Sequence, residues 1–215
     1  AVRDLKAQGY DFVKVYSELN VETFLAVVDE AGKQGMKTLG HVPVSFQGRL
    51  ESAFVPGFGM VAHAEEFAKH SKEFTDADAK RFAQIAKNSG AWLTPTLTTM
   101  KWIASETRSL DEMRAQPALK YVHPLLQEKW VKRNRYNKNS TPKLIAYFDD
   151  MVKFNARLVK AFKAAGVAIP ALMTPCTASR RPDFAAAIAR RMARPWTPII
   201  RQVSTSSSAI RAALA

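Results

Sequence analysis

The stretch that decides the fold is "YDFVKVYSELNVETFLAVVDEAGKQGMKTLGHV", Tyr10 to Val42. Phe12, Val13, Val15 and Tyr16 read as a short apolar strand over 11–16. Phe24, Leu25, Val27, Val28 and Ala31 then recur at helical spacing. Asn20 stands where an N-cap belongs and Gly35 where a helix ends. "KTLGHV" (37–42) is a second strand, so the segment reads strand, helix, strand. One residue breaks the apolar logic. Lys14 sits in the middle of the first strand, and a buried ammonium is costly unless paired, neutralised or coordinated.

Working outward, the alternation continues. A helix is predicted from Gln47 to Phe54, and "GMVAHA" (59–64) is a third strand. Thr75, Asp76 and Asp78 cap a helix to Asn88, closed by Gly90, and "AWLTPTL" (91–97) is a fourth strand. A largely helical excursion spans about 98–165. Its last helix opens on Thr141-Pro142 and stops at Gly166. "VAIPAL" (167–172) is a fifth strand. Short strands alternating with helices indicate βαβ units and a parallel sheet, and the spacing suits a (β/α) barrel or a doubly wound sheet equally.

Composition bounds the alternatives. The chain has 215 residues, 47% apolar and 10% aromatic, enough for one sizeable core. No run approaches the roughly 18 apolar residues of a membrane span, and no signal-peptide pattern opens the sequence. The single cysteine, Cys176, excludes an internal disulfide framework and has no catalytic role here. Net charge is +13, but residues 167–215 carry seven Arg against Asp183 alone, so nearly half of the excess belongs to that tail. Every lysine and every glycine lies at or before Gly166. Residues 173–215 are therefore read as a separate Arg/Ala/Ser-rich tail.

Of the four histidines, 41 and 63 fall at the C-terminal ends of predicted parallel strands, and Lys14 near the end of the strand before. That edge is where ligands and catalytic groups gather in such folds. Lys, His and His on three successive strand ends are more informative together than apart. Each also has a plain reading: a hydrogen-bonded structural histidine, or a lysine snorkelling to water. His70, between Lys69 and Lys72, is expected to be exposed, and His123 in "KYVHPLL" to sit on a loop or lid.

"GYDFVKVYSELNVETFLAVVDEAGKQGMKTLGHVP" followed by "GMVAHAEEF", "WLTPTLTT", "ALKYVHPLLQEKW" and "LVKAFKAAGVAI" resembles the amidohydrolase superfamily, in its imidazolonepropionase-like and prolidase-like branch. The resemblance covers residues 1–172. It implies a (β/α)8 TIM-type barrel of which this chain carries strands resembling the fourth to the eighth, with the helical excursion inserted before the last. It also implies a metal-dependent hydrolase of amide, cyclic amide or peptide-like C–N bonds. Lys14 would be a carbamylated bridge between two divalent ions, usually zinc, with His41 and His63 as imidazole ligands of one of them. Carbamylation would turn a would-be cation into an anionic oxygen ligand. Tyr16 and His123 would touch a small-molecule or peptide-like substrate.

Two pieces of the family pattern are missing from the sequence. There is no His-x-His strand before Lys14, and "IPALMTPCTASRR" stands where a Gly-Thr-Asp sequence is expected, with no acid before Asp183. The expectation is an incomplete member, weakly active or inactive alone, completed by a homo-oligomer or a missing N-terminal half. The competing expectation is a non-enzymatic cationic protein that uses its Arg-rich tail on nucleic acid or acidic surfaces. No helix-turn-helix, zinc-finger or RNA-recognition pattern supports it. Cytoplasm and periplasm stay open as compartments.

Overall fold

A computed structural model describes residues 1–132 and 134–170 of the chain. The tail at 173–215, with Cys176 and Asp183, lies outside the described residues. In chain order the elements are α1 (Val2–Ala7), β1 (Phe12–Val15), α2 (Val21–Lys33), β2 (Lys37–Gly40), β3 (Phe58–Ala62), α3 (Glu65–Ala68), α4 (Asp76–Ser89) and β4 (Trp92–Thr94). Then come α5 (Leu97–Arg108), α6 (Leu110–Arg114), α7 (Pro124–Lys132), α8 (Arg135–Lys138) and α9 (Pro142–Ala164). The architecture is α/β, with a four-stranded parallel sheet in the order β1-β2-β3-β4. A closed TIM barrel takes eight strands; the described residues contain these four. Two compact units divide the fold, Ala1–Val61 and Ala62–Ala168.

In the first unit, Val13 and Val15 of β1 are fully buried, while Phe12 and Lys14 on the opposite face are half-buried. That is the period of two of a strand. Asn20 caps α2 as its sequence predicts, its side-chain oxygen accepting from Thr23 N at 2.7 Å. Phe24, Val28 and Ala31 bury the inner stripe of α2. Phe24 meets Phe46 and Phe58 edge-on, each at 5.2 Å between ring centroids. Burying three such rings contributes about 1.5–3 kcal/mol each. Val2 and Leu5 of α1 close a second cluster with Val13, Ala31 and Met36.

In the second unit, α9 is the spine against which α4 and α5 pack. Its Met151, Phe154, Leu158 and Phe162 follow helical spacing. Phe154 stacks on Phe74 at 5.2 Å, and Phe67 meets Phe162 at 5.0 Å. Thr75 and Thr141 cap α4 and α9 as expected, accepting from Asp78 N at 3.0 Å and Leu144 N at 3.1 Å. Arg108 forks between Glu112 and Asp149 and ties α6 and α9 to α5. Both carboxylates hold its pKa above the ordinary range, the Glu112 hydrogen bond most.

Several expectations need correction. The helix predicted over 47–54 is two 3₁₀ turns, Val44–Phe46 and Leu50–Ala53. Gly48 between them has φ +78°, which no α-helix accommodates. The fourth strand is shorter than predicted, because Pro95 follows Thr94 and Thr96 turns to φ +44°. Residues 167–170 are not a strand. Ala168 O accepts one bond from Leu93 N at 3.1 Å, and residues 171–172 lie outside the described chain. His70 is half-buried rather than exposed, packed at the end of the α3 turn where its N–H bonds Phe67 O at 2.9 Å.

Candidate functional site

The parallel register sets Lys14 opposite Leu39 and Val15 opposite Gly40, so His41 follows directly on the end of β2. His41 N donates to Val15 O at 3.1 Å. Only glycine fits at position 40. Its φ is +131°, and a Cβ there would stand 2.3 Å from Val15 O. This close approach delivers His41 to the end of β1.

Three residues of the first unit then meet. The His41 ring stacks on Tyr16, with centroids 4.0 Å apart and planes inclined by 22°. Lys14 Nζ lies 5.5 Å from the centroid of the same Tyr16 ring, a cation–π distance. Among the described residues Lys14 makes no ion pair. His41 is only 8% exposed, and its Nδ1 lies 2.8 Å from the Ser17 hydroxyl. When Nδ1 donates to Ser17 Oγ, the ring's lone pair resides on Nε2, the form a metal ligand needs. The loop after His41 is pinned in turn: Val44 N donates to Ser17 O at 3.0 Å and Ser45 Oγ to Leu19 O at 2.9 Å. Ser17 was missed in the sequence. Its place immediately after Tyr16 in "KVYS" is the signal that points to it.

His63 belongs to the second unit, one residue past β3. It takes φ +102°, a left-handed conformation that a residue with a Cβ adopts at a cost. Two backbone bonds fix the turn, His63 N to Thr94 O at 2.7 Å and Ala64 N to Pro95 O at 3.2 Å. Its Nδ1 also meets a hydroxyl, Thr96 Oγ1 at 2.9 Å. Both candidate imidazoles thus have one ring nitrogen oriented by a hydroxyl. Nearby, Glu66 is fully buried and paired with Lys69. Burial pushes the Glu65 carboxyl above its ordinary range, partly offset by a backbone hydrogen bond and by Lys69. His123, suggested as a substrate contact, is exposed at the start of α7. Its Nδ1 accepts from Leu125 N at 3.2 Å.

Chemically, neutral imidazole nitrogens are suitable metal donors, and a lysine becomes one only when its ammonium is deprotonated or carbamylated. The set is small: among the described residues no group of three or more His, Cys, Asp or Glu side chains is placed to hold an ion. The donors fit at most part of a metal centre, and no reaction step follows from them alone.

No family model and no curated protein matches the chain. Among solved structures it is similar to bottromycin amidohydrolase, with 24% identity and a TM-score of 0.51. The fold resembles that of part of bottromycin amidohydrolase. The match covers 79% of this chain and 39% of that one, so the chain spans well under half the length of the protein it resembles. Among the described residues no helix is long and apolar enough to cross a membrane.

Proposed function

We propose that this chain carries part of a metal-dependent amidohydrolase barrel, with Lys14, His41 and His63 as its metal donors. The substrates of that class are amide, cyclic amide or peptide-like C–N bonds. The observation that supports the reading most directly is the Lys14–Tyr16–His41 cluster. A half-buried amine without an ion pair and a buried imidazole share the Tyr16 ring as a neighbour at the C-terminal ends of adjacent parallel strands. That is the edge where barrel chemistry is done. A divalent ion held by such donors lowers the pKa of water and polarises a carbonyl. Within this chain, Ser17 and Thr96 orient the two imidazoles, and Tyr16 offers a ring and a hydroxyl to a substrate. Lys14, as its carbamate, would serve as an oxygen donor.

Metal analysis of the purified full chain tests this reading directly. Zinc or a similar ion should co-purify, and His41→Ala, His63→Ala and Lys14→Ala should each lower its content. Adding bicarbonate should raise the retained metal in the wild type and not in Lys14→Ala. Metal content identical in all four proteins refutes the assignment.

A further inference from the structure

A second site lies wholly within Ala62–Ala168, away from the metal donors in sequence and independent of the hydrolase reading. Helices α5, α7 and α8 line an open cleft of about 550 Å³, a size that suits a small organic ligand. Trp102 and Trp130 form its aromatic walls, with ring centroids 5.4 Å apart and planes inclined by 49°, and Tyr136 closes one side. Glu106 also lines it, yet is only 7% exposed and has no ion-pair partner among the described residues. The cleft is braced rather than loose. Asn137 Nδ2 donates to Glu106 O at 3.1 Å and Ser140 Oγ to Thr107 O at 2.7 Å, which fixes α8 against the end of α5.

We propose that this cleft binds a primary ammonium group carried on an aromatic or apolar body. A carboxyl taken out of water without a counter-cation is an unfavourable arrangement that a bound cation relieves. Burial indeed pushes the Glu106 carboxyl above its ordinary range, although a hydrogen bond from Asn134 opposes the shift. The indole and phenol faces add cation–π attraction and apolar contact. Two basic residues also line the cleft, and neither makes it an anion site. Arg135 is turned onto its neighbour, 5.1 Å from the Tyr136 ring and 3.3 Å from its hydroxyl. Lys129 is exposed to solvent. Of the three charged residues that line the cleft, Glu106 is the buried one, while Lys129 and Arg135 are exposed.

Calorimetric titration of the full chain at neutral pH distinguishes this from other readings, using three probes of similar shape: phenethylamine, phenethyl alcohol and 3-phenylpropionate. Phenethylamine, protonated at that pH, should bind saturably and at least about tenfold more tightly than the other two. Glu106→Gln keeps the side chain's size and removes its charge, and should weaken phenethylamine binding by about tenfold or more. Trp130→Ala, at a half-buried position on α7, should weaken it comparably and serves if Glu106→Gln does not fold. The proposal is overturned if 3-phenylpropionate binds as well as the amine, if both folded variants bind like wild type, or if no probe saturates.

Discussion

The Ser17 hydroxyl lies 2.8 Å from His41 Nδ1, and both residues are buried. One hydrogen bond thus orients the buried imidazole at the end of β2. Ser17→Ala leaves a buried ring nitrogen without this partner, at a cost of about 1–3 kcal/mol. Denaturant unfolding should show that loss. If His41 is a metal donor, the same substitution should weaken metal retention by about 10- to 100-fold. Unchanged stability and unchanged metal content would contradict the role given to Ser17.

Two glycines should respond in opposite directions. Gly40→Ala drives a Cβ to within 2.3 Å of Val15 O at φ +131°, and should destabilise by more than about 3 kcal/mol or prevent folding. Gly32, exposed inside α2, has open space around its Cβ position. Gly32→Ala should raise stability by about 0.5–1 kcal/mol through helix propensity and chain entropy. Circular-dichroism melts of the pair decide the matter, and a mild Gly40→Ala effect would show that the β1–β2 approach is misdescribed.

His63 pays for its position in backbone conformation. His63→Ala and His63→Gly both remove the imidazole and its bond to Thr96, but only the glycine tolerates φ +102° freely. The glycine variant should therefore be the more stable of the two by about 1 kcal/mol. Equal unfolding midpoints would mean that the turn relaxes when the ring is lost.

The buried carboxyl of Glu106 predicts a pH signature. Its folded-state pKa is raised by burial, so the folded state holds the proton to higher pH than the unfolded chain does. The penalty is absent below the unfolded value and develops as pH rises from about 4.3 through the folded pKa. Glu106→Gln should thus stabilise the protein at pH 7 relative to wild type, and the advantage should vanish toward pH 4. A pH-independent difference between the two proteins would show that burial does not govern this group.

Much of the fold is written locally. The strands β1 to β4, helices α2 and α4, the caps at Asn20, Thr75 and Thr141, and the helix ends near Gly35, Gly90 and Gly166 follow from short-range preferences. These preferences act within a turn or two of chain, so a sequence carries them openly. The same reading marked Lys14, His41 and His63 as strand-end residues, and each stands where the spacing put it. Tertiary contacts decided the remainder. The stack of His41 on Tyr16 and the Ser17 bond join positions 24 or more residues apart. The cleft at Trp102 and Trp130 forms because α8 packs on α5 and one ring of α7 meets one ring of α5, bringing together side chains whose separation in sequence says nothing of their contact. Local preference chooses elements; which side chains share a cavity depends on how those elements bury their apolar faces, and only the assembled core fixes that.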